Sequence, residues 1–303
     1  MTGRVNGSGQ LPVRLGVALL PDLPWSDALA QWTRLDRLGV DHLWTYDHLS
    51  WRELRDGPWF GAVPLLAAVA SLTSRSLLGT LVASPNYRHP VPFAKEAMTL
   101  AEISGERFIC GVGAGGTGWD ATVLGTPPWT RRERTDRFIE FVDVLAMLLS
   151  QESTSYEGQY YAAAEARMIP TRTVPLAIAA TGERGMDLVA RHGDWWITFG
   201  HPTDVAGMGT GAAAGEARRQ IERLDAALER NGEPTRHVRR AILVGSSAEP
   251  WYESADSFVD LAHAYAELGY TDVIVHAPRR NAPFDYDPDV FEAILDAAGC
   301  APT

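Results

Sequence analysis

From residue 13 onward, short apolar runs alternate with longer stretches patterned at helical spacing. The runs fall at 13–20, 42–46, 77–83, 108–113, 175–179, 195–199, 238–244 and 272–276. Most are nearly continuous in apolar residues, which predicts strands covered on both faces. The helical stretches fall at 26–38, 64–74, 91–103, 134–149, 183–191, 215–230 and 254–268. Ser26 and Ser254 read as N-caps, and Gly39 and Gly269 as the residues just past helix C-termini. Eight strand–helix repeats predict an α/β fold closed into a (β/α)8 TIM barrel; an open doubly wound sheet is the alternative, but eight repeats favour closure. Two segments break the rhythm. Residues 154–173 contain Tyr156-Glu157-Gly158-Gln159-Tyr160-Tyr161, which reads as a small hairpin. Residues 50–61 carry Trp51, Pro58, Trp59 and Phe60 and follow the second strand.

In a parallel barrel the strands end on one shared face, and catalysis is built there. Several of these strands end abruptly in polar or glycine chemistry. After the second come Asp47 and His48. In one reading His48 moves a proton or orients substrate while Asp47 fixes the loop. In the other, Asp47 caps a turn and His48 merely packs. After the fourth strand comes Gly111-Val112-Gly113-Ala114-Gly115-Gly116-Thr117-Gly118. Such glycine density suits backbone amides turned toward an anion, although neither the P-loop nor the dinucleotide fingerprint is present. After the fifth predicted strand, Ala180-Thr181-Gly182-Glu183-Arg184 opens a helix whose N-terminus also suits a phosphate. The third strand ends in Leu81-Val82-Ala83-Ser84-Pro85-Asn86. Its small residues would let a flat ring lie against it, or would form an ordinary turn.

Composition narrows the picture without naming a chemistry. The chain has 303 residues, 46% hydrophobic and 21% charged, which is enough for a large core. Net charge is −11 and spread along the chain, which disfavours a nucleic-acid or anionic-membrane surface. The two cysteines, Cys110 and Cys300, fit neither a zinc site nor a disulfide framework, so a reduced cytoplasmic setting is expected. No histidine spacing favours a metal site. Residues 1–10 lack an apolar core and are expected to form a disordered tail, leaving 11–303 as one barrel domain. Of ten tryptophans, Trp44, Trp51, Trp59, Trp119 and Trp129 sit near active-face loops. Some of them could wall an aromatic ligand pocket.

The ordered set of motifs resembles the bacterial-luciferase-like superfamily of flavin- and deazaflavin-dependent oxidoreductases. The matching pieces are Asp41 through His48, Leu78-Gly79-Thr80-Leu81-Val82, Tyr87-Arg88-His89-Pro90 and Leu100 through Phe108 leading into Gly111-Val112-Gly113. They continue with Tyr156 through Tyr161, Ala179 through Gly185, Ala190 through Trp196 and Val275-His276-Ala277-Pro278. The resemblance implies a TIM barrel, usually homodimeric, with FMN or the deazaflavin coenzyme F-420 on its C-terminal face. It implies that Asp47 and His48 lie beside the reacting ring, with His48 handling the proton or orienting substrate and Asp47 supporting it. A non-prolyl cis peptide at Leu81–Val82, or within a residue of it, would back the ring, together with Ala83 and Asn86. Cofactor phosphate would meet Gly113, Ala114, Gly115 and Gly116 on one side and Ala180, Thr181, Gly182, Glu183 and Arg184 on the other. The resemblance is closest to the deazaflavin branch, whose reaction would be hydride exchange between C5 and a C=C, C=N or carbinol carbon of a small organic substrate. An FMN-dependent monooxygenase and a non-catalytic flavin-binding protein are the alternatives. Two departures stand out. Sugar-phosphate dehydrogenases of this kind carry a glutamate soon after the glycine strand, where this chain has Gly115-Gly116-Thr117, and the insertion near the seventh strand is reduced to residues 245–251.

Overall fold

A computed structural model describes residues 11–199, 210–245 and 251–301. The expected tail at 1–10 and most of the shortened segment at 245–251 lie outside the described residues. The elements run β1 (Arg14–Leu19), α1 (Trp25–Leu38), β2 (His42–Thr45), α2 (Ala62–Ala70), β3 (Leu77–Thr80), α3 (Pro90–Ser104), β4 (Phe108–Gly113) and α4 (Arg131–Ser150). They continue β5 (Ser153–Glu157), β6 (Ala162–Arg167), β7 (Leu176–Ala179), α5 (Glu183–His192), β8 (Trp195–Thr198), α6 (Thr210–Arg230), β9 (Arg239–Leu243), α7 (Ala255–Leu268), β10 (Asp272–His276) and α8 (Pro288–Ala297). Eight strands close a parallel barrel in the order β1-β10-β9-β8-β7-β4-β3-β2. This is the closed TIM-barrel alternative rather than the open sheet. Each predicted apolar run contains one barrel strand, and α8 is a helix the periodicity does not single out.

The strands are buried on both faces for different reasons. Their outward residues, such as Val17, Leu43, Cys110 and Ile178, meet the helices in one large core. Their inward residues form a separate column that includes Ala18, Trp44, Ile109, Ala177, Trp195, Ile197 and Ile274. Near the base of that column His42 is flanked by Trp44 and Trp195, with ring centroids 5.6 and 5.3 Å away. Trp44 Nε1 donates to His42 Nδ1 at 2.6 Å, and His42 Nε2 lies 3.0 Å from the fully buried Asp272 carboxylate. Gly79 makes room for this packing, because a Cβ there would lie 2.3 Å from the Trp44 ring. The barrel is therefore filled from below.

Helix ends follow local chemistry. Ser254 caps α7 by accepting from Ser257 N at 3.1 Å, and Gly39 and Gly269 adopt left-handed C-cap conformations. Ser26 is not a cap. The N-cap of α1 is Pro24 and has no side-chain cap bond, while Ser26 lies one residue inside the helix and bonds Asp27. Pro24 brings a fixed φ to that boundary, so the helix starts two residues earlier than the serine implies. The predicted hairpin is β5 paired antiparallel with β6, with a register shift between Thr154 and Tyr156. The Glu140 carboxylate of α4 anchors its turn by accepting from Tyr160 N and Tyr161 N at 2.9 and 2.8 Å.

Candidate cofactor and active site

The parallel register brings the strand-end motifs onto one rim. Gly113 of β4 is directly opposite Ala179 of β7, so the glycine-rich loop and the loop into α5 leave the barrel side by side. Gly113 is also closely approached. A Cβ there would lie 2.6 Å from Val82 Cγ2 and 3.5 Å from the Ala179 Cβ. Val82 belongs to the bulge after β3, where the Leu81–Val82 peptide is cis, as the resemblance implies. Pairing resumes at once, with Ala83 N donating to Gly111 O and Gly113 N to Ala83 O, both at 2.8 Å. Asn86 reaches across to the glycine loop, its Nδ2 donating to Gly116 O at 3.3 Å. Leu81, Val82, Ala83, Asn86 and Gly113 to Gly116 are thereby gathered in one patch.

The α5 start, like those of α1 and α2, carries no side-chain cap bond. Side chains satisfy first-turn amides at the starts of α3, α4, α7 and α8, through His89, Thr130, Ser254 and Asp287. Gly182, the N-cap of α5, offers no side chain, and a Cβ there would meet nothing within 4 Å. The first turn of α5 thus begins without a side-chain cap. Such first-turn amides are the donor set a phosphate requires. The carbonyl of Ala180 is used by Trp196 Nε1 at 2.8 Å and that of Thr181 by Arg223 Nη1 at 3.4 Å, which hold the loop in place. Arg184 is already engaged, its Nη2 lying 2.6 Å from Asp136. Glu183 is exposed in the first turn.

Asp47 and His48 follow β2 as expected but do not bond to each other. Asp47 is 2% exposed and is clamped by Arg88, whose Nη2 donates to Oδ1 at 2.8 Å while Nε pairs with Oδ2. Burial works against the Arg88 charge, yet the Asp47 bond prevails and raises its pKa. Arg88 Nη1 also reaches Glu96 at 2.7 Å. The carboxylate partner of His48 is instead Asp120, which binds Nδ1. The other Asp120 oxygen accepts from Leu49 N at 2.8 Å. With Nδ1 engaged, Nε2 is the nitrogen left to face a reactant, and the side chain retains 29% exposure. Asp120 thus holds the His48 ring, while Asp47 is bonded to Arg88 and not to the imidazole. Neither Arg88 nor Asp120 is given a role by the motifs, although Arg88 sits within the quoted Tyr87–Pro90 piece and Asp120 just beyond the glycines.

Opposite the glycine patch the mouth is aromatic. Tyr46 lies 5.2 Å from Trp51, 5.9 Å from His48 and 5.8 Å from His276 between ring centroids. Trp51 stacks parallel to Trp59 and to Phe284 at 6.5 and 6.1 Å, and Phe284 lies flat on His276 at 3.6 Å. His276 Nε2 is 2.8 Å from the Tyr46 hydroxyl, and Nδ1 has no hydrogen-bond partner among the described residues. Burial pushes the His276 pKa down to about 3, opposed only in part by the Val244 carbonyl. Burial likewise drives the Tyr46 phenol well above its usual value. Sequence reasoning does not mark this His276–Tyr46 pair, whose members lie far apart along the chain. Cys110 is fully buried and its thiol is pushed up, which removes it as a nucleophile. Among the described residues no His, Cys, Asp and Glu cluster could hold a metal ion, and no helix is long and apolar enough to cross a membrane.

A closed parallel barrel with paired glycine loops and an oriented imidazole on its C-terminal face is the framework of a TIM-barrel enzyme. The family model described as luciferase-like monooxygenase matches residues 7–287, and the chain belongs to that family. It is 30% identical over 298 residues, covering 84% of this chain and 88% of the relative, to the F420-dependent glucose-6-phosphate dehydrogenase of Beutenbergia cavernae. It is 32% identical to the F420-dependent hydroxymycolic acid dehydrogenase of Mycobacterium tuberculosis, over 59% of this chain and 51% of that protein. Among solved structures, an F420-dependent secondary alcohol dehydrogenase in complex with an F420-acetone adduct superposes with a TM-score of 0.76 at 18% identity. The match covers 94% of this chain and 99% of that one.

Proposed function

We propose that this protein is a coenzyme F-420-dependent oxidoreductase that exchanges a hydride with a C=C, C=N or carbinol carbon of a small organic substrate. The observation that carries this reading is the side-by-side exit of the two glycine loops, with an uncapped helix start in one of them. The relatives named above, which use the deazaflavin, support it. Gly113 to Gly116 and Ala180 to Arg184 would hold the phosphate, mainly through backbone amides. Leu81, Val82, Ala83 and Asn86 would back the ring. When bound, the 8-hydroxy-5-deazaflavin supplies two-electron hydride chemistry at C5.

The chain supplies the proton. For a carbinol, His48 Nε2 accepts the O–H proton as the hydride leaves carbon. For a C=C or C=N bond, the same nitrogen donates the proton to the atom that does not receive the hydride. Asp120 fixes the tautomer and stabilises the imidazolium that forms in the first direction. Asp47, through Arg88, keeps the end of β2 rigid beneath it. The reading extends to a homodimer of single barrel domains spanning 11–303 and working in the cytoplasm, checked by light scattering and by cell fractionation.

The decisive experiment is a titration of purified protein with coenzyme F-420 and with FMN, followed by fluorescence. Micromolar or tighter deazaflavin binding, with hydride exchange to a substrate under anaerobic conditions, is expected. Tight FMN binding without deazaflavin binding, together with oxygen-dependent turnover, would establish instead the luciferase-like monooxygenase that the family description allows. Binding of either cofactor without turnover of any substrate would establish a carrier.

A further inference from the structure

The aromatic half of the mouth has chemistry of its own, separate from anything the cofactor loops require. Trp51, Trp59, Phe284 and His276 form a run of near-parallel rings, with interplanar angles of 22°, 20° and 7°, and Tyr46 meets it edge-on. Trp51, Trp59 and Phe284 are only partly buried, so their surfaces reach the mouth. Leu49, Phe60, Trp119, Val123, Leu124 and Tyr252, all on loops of this same face, remain exposed. Exposed apolar groups concentrated around one opening mark a surface that receives an apolar ligand.

Arg52 and Arg55 lie over the Trp51 and Trp119 rings, 5.1 and 5.4 Å from their centroids. Arg88 is held by the carboxylates of Asp47 and Glu96, and Arg279 by that of Asp22 at 2.7 Å and by the carbonyls of Asn281 and Pro283. A phosphosugar placed here would leave its phosphate without the Arg88 and Arg279 guanidiniums and its hydroxyls against aromatic faces, which costs desolvation without return. A flat apolar ring would gain area burial and edge contacts against these rings.

We infer that the substrate is a flat, uncharged, ring-bearing molecule seated on the Trp51–Phe284 wall, with its reducible or oxidisable carbon toward the glycine patch and its heteroatom toward His48 Nε2. This rests on the deazaflavin reading above and narrows it to one substrate class.

The test compares benzylideneacetone with 3-penten-2-one, the same enone with and without an aromatic ring, and with glucose 6-phosphate. Each is titrated into deazaflavin-loaded protein while tryptophan fluorescence and the deazaflavin absorption band are followed, and reduction is then assayed with reduced deazaflavin. Benzylideneacetone is expected to bind at least tenfold more tightly than 3-penten-2-one, with no detectable glucose 6-phosphate binding. Trp51→Leu and Phe284→Leu, which keep apolar bulk, should each erase most of that preference while leaving deazaflavin affinity unchanged. If one variant fails to fold, the other carries the test. Equal binding of the two enones, tighter binding of glucose 6-phosphate, or an undiminished ring preference in a folded variant would overturn the inference. Deazaflavin affinity is measured first and separately, so failure to bind it sinks the cofactor reading, whereas normal affinity with a phosphosugar preference sinks only the substrate class.

Discussion

The two halves of the barrel mouth are built on opposite principles. On the β3, β4 and β7 side β4 and β7 end in Gly113 and Ala179, Val82 follows β3, side chains are small, and backbone groups dominate. On the β2 and β10 side the strands end in Tyr46 and His276, rings fill the space, and side chains provide it. In the proposed reading, one half would take an anionic tail and a planar ring close to backbone. The other would grip a body by its faces and hand it a proton. Under that reading the two halves would divide cofactor and substrate between them.

That contrast breaks most sharply at His48. His48→Ala should lower kcat by about 100- to 10,000-fold, the range of a lost proton-transfer group. Deazaflavin affinity should stay within about twofold, and stopped-flow hydride transfer with a titration in parallel separates the two effects. Asp120→Asn should cut kcat by about tenfold to a hundredfold, because the amide no longer matches the imidazole Nδ1 charge and tautomer. It should also displace the pH–rate profile of kcat/KM, which a purely structural loss would leave in place, and Asp120→Glu should recover part of the rate.

Gly182→Asp sharpens the other half. A carboxylate at that position would cap α5, so thermal stability should hold or rise, with caps typically contributing ~1 kcal/mol. The same group would occupy and repel the phosphate position, so deazaflavin Kd should rise by about tenfold or more. A variant that is less stable yet binds normally would show that the loop has no part in the cofactor site.

A different measurement, acid stability, probes the aromatic half. The folded pKa of His276 is pulled down to about 3, below the usual value of 6.5. As pH falls below 6.5 the unfolded chain takes up a proton that the folded one refuses, so stability declines between pH 6.5 and 3 with a slope of about one proton. His276→Asn should flatten that part of the curve in urea melts across pH. Asp36 acts in a different window. Burial would raise its pKa, but the amides of Ser76, Ser74 and Arg75 and the charge of Arg107 lower it below 3.8. Its contribution is therefore present above about pH 4 and lost only as pH falls through the depressed folded value. Asp36→Asn should show its difference from the parent chiefly above pH 4.

The alternation of runs announced the barrel because strands covered on both faces must be continuously apolar, and that requirement is local. The same holds for Gly39 and Gly269, whose backbone conformation needs a glycine wherever the fold places it. The partners of the site residues obeyed no such rule. Asp120 reaches His48 across 72 residues and Arg88 reaches Asp47 across 41. Nothing in the local pattern around Asp47-His48 could show that the adjacent carboxylate was already taken. Trp51 and Trp59 were visible as aromatic residues on the catalytic side, but their alignment with Phe284, more than 200 positions later, depends on β10 closing against β1. Short-range residue chemistry was therefore readable, and the pairings created by barrel closure were not.

The plug of His42, Trp44 and Trp195 has a kinetic consequence. With the cylinder stoppered beneath, every reactant must arrive and depart through a single doorway, and traffic through it is sequential. Whichever guest lies deeper has to enter first and exit last, so the order of product dissociation is written into the floor of the barrel.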